Sequence, residues 1–400
     1  MTLIIFWSAA AMVAYAYVLF PALVVLRGLL LHRRIEQRDS EPTVSIVVVA
    51  HNEARTIKEK LQNLLSLDYP RDRLEIVVAS DGSDDGTDEI VSSYADRGIR
   101  LLSFPRRGKA PALNDAVAAV TGEILVFSDA NSLYAEDAIR ALVRPFGDPS
   151  IGGVAGDQRY IPSTGESNTG ERAYWSLDRV LKEFQSRAGS VTSATGAIYA
   201  IRRSLFVPAP LSVTDDFAVS TAIVLQGYRL VFSRQAVAYE PAASSTRFEF
   251  ARKVRVITRG LRGVVERRPL LNPFRFGFYS LQLFSHKLAR RLVVLPLLVM
   301  LVTSVLLWPR GGFYQWMVVA QGAFLFCGAL GALSAGTRLE RCKLFALPCY
   351  FCMVNAASLR AAVNLARGRR IERWDTQRTA PQTSERLRAA AGRIDREVAS

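Results

Sequence analysis

The sequence predicts an α/β fold flanked by transmembrane helices. Strand-like and helix-like patterns alternate from about residue 42 to residue 250, as in a parallel sheet with crossover helices. Apolar residues crowd the first 31 positions and the stretch from about 292 to 366. Hydrophobic residues make up 50% of the 400, which exceeds the need of a soluble α/β domain and indicates membrane segments.

The first apolar segment predicts an N-terminal transmembrane helix within residues 1–31. Residues 3–26 carry no charge and are long enough to span a bilayer, and basic residues follow at once. The positive-inside rule then puts the N-terminus outside and the chain from residue 40 onward in the cytoplasm. A cleaved signal peptide is the alternative, but its positive charge would precede a shorter apolar region.

The central region reads as a βαβ series. Residues 44–50 form a nearly continuous β-branched run, which is typical of a strand buried on both faces. Residues 54–67 have helical spacing, with four apolar residues on one face: Ile57, Leu61, Leu64 and Leu65. Further strand and helix patterns follow at 74–79, 87–94, 99–104, 110–120 and 124–127. This order predicts a parallel sheet with right-handed crossovers.

Beyond residue 150 the pattern loosens. Glycines and short apolar runs occupy residues 151–165 and indicate no definite element. Helical patterns return at 169–184 and 217–225, and residues 229–239 alternate like a strand.

The C-terminal region predicts an interfacial segment and then membrane helices. Residues 270–291 mix aromatic and basic side chains, which indicates an interfacial amphipathic helix. The region 292–366 holds spanning helices at 292–308 and 313–334 and a third candidate at 344–365. Three spans would place the start of the polar basic tail, residues 367–400, outside, against the positive-inside rule. Two or three spans, and a re-entrant last segment, therefore stay open.

The charge and the cysteines exclude some classes of function. The formal net charge is +15, and much of the basic excess lies near membrane boundaries, where it attracts anionic lipid. No aromatic-basic module accompanies it, so we expect membrane lipid and no nucleic acid as a partner. Cys349 and Cys352 have C-x-x-C spacing inside an apolar helix pattern, which indicates packing rather than redox or metal chemistry.

Three acidic clusters carry the functional signal. They stand at 81–86 and 129–131, after apolar runs, and at 214–216, ahead of a helical pattern. Carboxylates at the C-terminal ends of parallel strands converge on one crevice, where open α/β sheets bind ligands. In a basic protein such groups predict a metal–diphosphate site and a separate catalytic carboxylate.

The motifs resemble those of family 2 glycosyltransferases, in the same order along the chain. They are His-Asn-Glu at 51–53 after the run from residue 44, Asp-Gly-Ser-Asp-Asp-Gly at 81–86, Gly-Lys at 108–109, Ser-Asp-Ala-Asn at 128–131 and Thr-Asp-Asp at 214–216. The chain is most similar to the membrane-integrated branch, which includes synthases of cellulose, chitin, hyaluronan and poly-N-acetylglucosamine.

This resemblance covers about residues 42–260 and the flanking membrane layout. It implies a GT-A (Rossmann-like) catalytic domain over 42–260, on the cytoplasmic side of a bacterial inner membrane. It also implies an inverting hexosyl- or N-acetylhexosaminyltransferase that takes a nucleotide-sugar donor, UDP-linked, and a lipid-linked or glycan acceptor.

The donor residues follow from the resemblance. Asp81 corresponds to the aspartate that holds the uracil or ribose, and Asn52 and Glu53 lie in the loop that contacts the base. Lys109 is suited to a phosphate as a point charge. The alternatives are that Asp81 simply forms a turn with Gly82 and that Lys109 is one more solvated base.

Asp129 and Asn131 are the predicted metal ligands. A departing diphosphate needs a cation, and Asp129 is a hard oxygen ligand for Mg²⁺ or Mn²⁺. The family usually has a second acidic residue where this chain has Asn131, so weaker metal binding is expected. A turn or helix cap is the alternative interpretation.

The predicted general base is Asp216. Inverting transfer needs a carboxylate near the acceptor hydroxyl, and Thr214-Asp215-Asp216 resembles the Thr-Glu-Asp of the family. Asp215 is expected to raise the pKa of Asp216 by like-charge repulsion, and helix capping by Thr214 or Asp215 is compatible with this role. The residues Thr195, Gly196 and Ala197 resemble the acceptor-side segment.

The main departure from the family is at 252–256. Processive members carry Gln-x-x-Arg-Trp there; Arg255 fits the arginine that meets the diphosphate, but Arg252 and Val256 replace the glutamine and the tryptophan. An aliphatic side chain offers no flat stacking face, which weakens the case for a long polysaccharide. The prediction is therefore sugar transfer to a lipid-linked or growing glycan. A processive synthase subunit, a catalytically silent nucleotide-binding membrane protein and a pore subunit are the alternatives, and an export or assembly partner stays open.

Overall fold

A computed structural model describes residues 1–161, 169–241, 246–334, 337 and 342–369. The predicted basic tail falls outside this part of the chain from residue 370 onward. Two compact units are present. Among the described residues, the first comprises 1–27, 169–181 and those from 246 onward, and the second comprises 28–161 and 182–241.

The α-helices are, in chain order, α1 (Thr2–Ala14), α2 (Phe20–Leu30), α3 (Ala54–Leu65), α4 (Thr87–Ser92), α5 (Lys109–Ala118), α6 (Ala138–Val143), α7 (Thr169–Ala188), α8 (Asp215–Leu225), α9 (Thr246–Glu266), α10 (Pro273–Phe276), α11 (Phe278–Leu283), α12 (Arg290–Leu292), α13 (Val294–Leu306), α14 (Gly312–Leu333) and α15 (Lys343–Ala366). Segments of π-helix cover Tyr15–Leu19 and Phe284–Ala289. Short 3₁₀ helices cover Arg71–Arg73, Ala95–Arg97, Arg144–Gly147, Arg203–Leu205, Arg268–Leu271 and Trp308–Arg310.

The second unit is built on a mixed sheet, which within the described residues has eight strands in the order β3-β2-β1-β4-β7-β6-β8-β5. The first four of these are parallel, β7 is antiparallel to both neighbours, β6 and β8 are parallel, and β5 is antiparallel to β8. The strands are β1 (Val44–Ala50), β2 (Leu74–Asp81), β3 (Ile99–Phe104), β4 (Ile124–Asp129), β5 (Leu133–Tyr134), β6 (Ile151–Ile161), β7 (Tyr199–Arg202) and β8 (Arg229–Pro241). The predicted α/β fold class is confirmed.

Strand β1 lies at the centre of the parallel half and positions the site. All seven of its residues are buried, as its β-branched composition predicts for a strand covered on both faces. Its neighbours are β2 on one side and β4 on the other. Because β2 ends at Asp81 and β4 at Asp129, these two carboxylates flank the end of β1 at the same edge of the sheet.

Strand β6 is the longest of three strands, with β5 and β7, that the sequence patterns do not predict. It covers Ile151–Ile161, where glycines hide the alternation of side chains. Close packing accounts for the glycine at position 152, because a Cβ on Gly152 would lie 2.6 Å from Leu205 and 2.7 Å from Ile223. A larger side chain at this position would therefore keep the neighbouring elements from packing on the strand.

The first unit contains the apolar helices. Within the described residues, three are long and apolar enough to cross a membrane: Thr2–Leu30, Gly312–Leu333 and Lys343–Ala366. The predicted span at 292–308 is shorter than expected, since α13 has 13 residues. It passes the same test only together with Phe278–Leu292, from which it is bent by 47°, as in a broken span or a re-entrant loop.

The segment predicted as one amphipathic helix, 270–291, is divided in the structure. Gly277 has φ of 54° and separates α10 from α11, because that backbone conformation interrupts a right-handed helix. Phe274 on α10 is 99% exposed and stands next to Arg275. The location of this segment at a membrane interface stays a prediction.

Candidate functional site

Lys109, Asp129 and Asp215 meet in the second unit. The Lys109 amino group lies 2.6 Å from Asp129 Oδ1 and 3.1 Å from Asp215 Oδ2. Lys109 begins α5, Asp129 ends β4 and Asp215 begins α8, so the fold assembles three predicted site residues from distant positions. A lysine held between two partly buried carboxylates forms strong, charge-assisted hydrogen bonds.

The electrostatics of this group keep Lys109 charged. Burial acts to lower the pKa of Lys109, but Asp129 and Asp215 together hold it above its ordinary value. The amino group is therefore a fixed positive centre at the end of β4. The positively charged amino group of Lys109 thus faces the carboxylates of Asp129 and Asp215.

Asp216 follows Asp215 in the first turn of α8. Burial raises the pKa of Asp216, the negative charge of Asp215 raises it further, and a hydrogen bond from Thr214 and the charge of Lys109 oppose the rise. The expected like-charge effect is present, but burial is the larger cause. Thr214 is the N-cap residue of α8, but its side chain does not cap the backbone N–H groups of the helix.

Asp81 is fully buried and directed at the loop before α5. Its carboxylate accepts hydrogen bonds from the backbone N–H groups of Arg107 (2.7 Å) and Gly108 (2.9 Å) and from the Arg106 guanidinium (3.2 Å). These contacts fix the chain immediately before Lys109. A direct contact between Asp81 and a nucleotide stays a prediction.

Asn52 and Glu53 connect the loop after β1 to the loop after β2. The Asn52 side chain donates to Asp84 Oδ1 at 2.7 Å and accepts from the Asp84 backbone N–H at 2.9 Å. Glu53 is 2% exposed and accepts a hydrogen bond from the Thr56 hydroxyl. These residues order the edge of the sheet next to Asp81, and their contact with a base stays a prediction.

The segment Thr195, Gly196 and Ala197 lies against Asp129. A Cβ at Gly196 would come within 3.0 Å of Asp129 Oδ2, so only glycine leaves the carboxylate where it is. Thr195 Oγ1 is buried and has no hydrogen-bond partner in the part of the chain that the structure describes. The segment predicted for the acceptor side therefore borders the same carboxylate that Lys109 contacts.

Gly196→Ala is expected to lower kcat for the reaction that this site carries out by about tenfold, because misplacing a catalytic group by a fraction of an ångström is costly. The new methyl has to displace the Asp129 carboxylate. Kinetics and thermal unfolding of the purified variant measure the effect. Gly312→Ala is the control, since its methyl meets no atom within 4 Å. An unchanged kcat in Gly196→Ala would show that this contact does not set the position of Asp129.

The residues present fit a divalent cation held by few protein ligands. Among the described residues, no group of three or more His, Cys, Asp and Glu could hold a metal ion. Asp129 and Asn131 share the turn after β4, and the Lys109 amino group already takes the place of a cation on the Asp129 carboxylate. This donor set suits an ion such as Mg²⁺, which keeps several water ligands and is also coordinated by the phosphate oxygens of a substrate.

Lys60 is a residue next to the Asp129 turn that the sequence patterns do not identify. Lys60 on α3 is fully buried and donates hydrogen bonds to Ser128 Oγ (2.7 Å) and to the Ser132 carbonyl (2.5 Å). Its signal in the sequence is a lysine inside the apolar face formed by Ile57, Leu61 and Leu64.

The predicted diphosphate arginine belongs to the first unit. Arg255 and Val256 lie on α9, where Val256 is 42% exposed. Arg252, which replaces the glutamine of the family motif, pairs with Glu249 at 3.0 Å. A contact between Arg255 and a diphosphate stays a prediction.

Comparison with known proteins gives a family match and similar sequences. Residues 45–207 match the model of Glycosyl transferase family 2. Poly-beta-1,6-N-acetyl-D-glucosamine synthase of Staphylococcus aureus (strain COL) is 30% identical over 210 residues, which are 50% of this chain and 48% of that protein. The synthase of the same name from Staphylococcus epidermidis is 28% identical over 206 residues, 49% of each chain. The chain thus matches about half the length of these curated relatives.

A solved structure is similar over nearly the whole chain. It is the mannosyltransferase PcManGT from Pyrobaculum calidifontis in complex with GDP-Man and Mn2+, with a TM-score of 0.71 and 25% sequence identity. The similarity covers 90% of this chain and 98% of that one.

Proposed function

We propose that this chain, which carries a family 2 glycosyltransferase domain with a GT-A fold, moves a sugar from a nucleotide-diphosphate donor to a glycan or lipid-linked acceptor with inversion. The observation that carries the proposal is the meeting of Lys109, Asp129 and Asp215 next to Asp216. It combines a positive group for a diphosphate with a carboxylate whose raised pKa suits proton transfer.

The roles of the residues follow from their chemistry. The acceptor hydroxyl oxygen attacks the anomeric carbon while the bond from that carbon to the diphosphate oxygen breaks, and the hydroxyl proton passes to Asp216. Lys109 offers positive charge to the leaving diphosphate. A divalent cation held by Asp129, with Asn131 in the same turn, supplies further neutralisation of the diphosphate when bound.

The donor we propose is a UDP-linked sugar. The similarity to synthases of an N-acetylglucosamine polymer favours an N-acetylhexosamine as the transferred sugar. GDP-mannose is the competing donor, because the similar mannosyltransferase was solved with it. We further propose that the apolar helices anchor the enzyme in a bacterial inner membrane with its catalytic unit in the cytoplasm.

A processive synthase is the second candidate function. The similarity to polymer synthases favours it, whereas Val256, which offers no aromatic face to a sugar, favours short products. The length distribution of the product distinguishes the two.

The test is a donor screen. Purified full-length protein and native membranes are incubated with UDP- and GDP-sugars and with Mg²⁺ or Mn²⁺, and nucleotide release and product mass are measured. Release of UDP with one sugar added to an acceptor is the expected result. Donor binding without release from any donor would contradict transfer and favour a silent nucleotide-binding protein.

Lys109→Met is expected to strengthen Mn²⁺ binding about tenfold while it lowers transfer, because the lysine and the metal ion compete for Asp129. Mn²⁺ affinity is measured by electron paramagnetic resonance without donor, and transfer is measured separately. Arg107→Met is the matched control: it removes the same charge two residues away, from a side chain that pairs with Asp115. Weaker Mn²⁺ binding in Lys109→Met would contradict the competition.

A further inference from the structure

A buried lysine contacts both ends of the turn that carries Asp129. Lys60 Nζ donates a hydrogen bond to Ser128 Oγ at 2.7 Å and another to the Ser132 carbonyl at 2.5 Å. Asp129 and Asn131 lie between these two serines. The amino group therefore bridges the turn from the side of α3, in the interior of the second unit.

The same helix also holds the chain that follows the turn. Asn63, one helical turn after Lys60, donates to the Tyr134 carbonyl at 2.8 Å and accepts from the Tyr134 backbone N–H at 2.7 Å. The Lys60 amino group lies 4.0 Å from the centre of the Tyr134 ring, a cation–π distance. Helix α3 thus fixes residues 128–134 by side-chain contacts at both ends.

A buried acid on β8, Glu240, is hydrogen-bonded to the same turn. The Ser132 hydroxyl donates to Glu240 Oε1 at 2.5 Å, and Gln158 Nε2 donates to Glu240 Oε2 at 2.6 Å. Glu240 is 5% exposed. Lys60 and Glu240 therefore both contact Ser132, Lys60 through the Ser132 carbonyl and Glu240 through the Ser132 hydroxyl.

Such a lysine is costly to keep in a core. Burial lowers the pKa of Lys60 to about 7, while Asp129 and Glu240 act to raise it. Isolated buried amines are strongly disfavoured, and an apolar side chain of similar volume usually serves packing as well or better. Packing alone therefore does not account for a lysine among Ile57, Leu61 and Leu64.

We propose that Lys60 is a positioning residue for sugar transfer, which holds the turn 128–132 so that the Asp129 carboxylate faces the cation site. The proposal rests on the proposed function for its consequence in catalysis. Its structural content, that the Lys60 amino group orders this turn, does not depend on which sugar is moved.

Four variants distinguish two roles for Lys60: positioning of the turn 128–132, and compensation of the buried acid Glu240. Lys60→Met removes the amino group and keeps the length of the side chain, and Glu240→Gln removes the buried acid. The double variant Lys60→Met/Glu240→Gln removes the buried amine and the buried acid together. Lys58→Met, at an exposed position of the same helix, is the control.

Three measurements are made on each full-length variant: thermal unfolding, Mn²⁺ affinity without donor, and hydrogen exchange of the peptide that covers residues 128–134. Lys60→Met is expected to unfold at lower temperature, to bind Mn²⁺ about tenfold more weakly, and to exchange faster in this peptide. The double variant is expected to recover thermal stability but neither Mn²⁺ affinity nor slow exchange.

Recovery of all three properties in the double variant would overturn the proposal, because Lys60 would then only balance Glu240. Wild-type exchange in the 128–134 peptide of Lys60→Met would overturn it as well. If Lys60→Met does not fold, the double variant decides between these outcomes by itself. Failure of the proposed function is recognised separately, as absence of nucleotide release from wild-type protein, and it leaves the exchange measurement valid.

Discussion

Asp216→Asn is expected to lower kcat by about 10²–10⁴-fold, the usual contribution of a positioned general base. Asn keeps the shape of the side chain but cannot take the proton of the acceptor hydroxyl. The variant is expected to stay folded and to bind donor, because the contacts of Lys109 with Asp129 and Asp215 keep both of their partners. Nucleotide release by purified protein measures the loss. Full activity would refute the assignment of the base.

The pH profile gives a second test of the same residue. A base acts when deprotonated, so kcat is expected to fall as the pH drops through the pKa of Asp216. Burial and Asp215 raise the pKa of Asp216, which puts this acid limb above the range of an ordinary aspartate. Asp215→Asn is expected to move the limb to lower pH, because it removes the like charge and leaves the burial. A limb that stays in place would assign the titration to another group.

The parallel half of the sheet could be predicted from sequence for a clear reason. Strands covered on both faces need continuous apolar runs, and residues 44–50 are such a run. The order of the elements then implies that β2 and β4 end at one edge, which brings Asp81 and Asp129 to the ends of β1's two neighbours. Strand β6 lacks this signal. Neighbouring side chains pack too closely on Gly152 to leave room for a side chain there, so the alternation of apolar and polar residues is interrupted.

The contacts of the site residues could not be predicted, because they depend on backbone groups far away in sequence. Asp81 is held by the N–H groups of Arg107 and Gly108, which no pattern of residue types reveals. The placement of Lys109 between Asp129 and Asp215 depends on how α5 and α8 pack on the sheet. The sequence therefore identifies the chemical groups of the site better than the partners that orient them.

The burial of Lys60 could not be predicted from the sequence either. In sequence, a lysine in an amphipathic helix is normally solvated, and its position next to Leu61 is a weak signal. Its burial becomes evident only when the turn after β4 is packed on α3, through Ser128 and Ser132. Buried polar groups of this kind are recognised from structure because their partners come from other elements.

The second large effect is expected for Asp129→Asn, which should weaken Mn²⁺ binding by at least about a hundredfold and lower kcat by about 10²–10³-fold. Asp129 is the predicted carboxylate ligand of the turn after β4, so its loss leaves Asn131 as the other predicted ligand there, without a charge. Lys109 keeps its contact with Asp215 in this variant, so the fold of the site is expected to persist.

Asn131→Asp is the matched variant in the opposite direction. It supplies the second acidic residue that the resemblance to family 2 enzymes leads us to expect at this position, so it is expected to tighten Mn²⁺ binding about tenfold. Affinity is measured on both variants by electron paramagnetic resonance, with thermal unfolding as the control for folding. If Asp129→Asn binds Mn²⁺ as tightly as wild-type protein, the metal is held elsewhere. If Asn131→Asp leaves the affinity unchanged while Asp129→Asn lowers it, Asp129 alone is the protein ligand, and position 131 only shapes the turn.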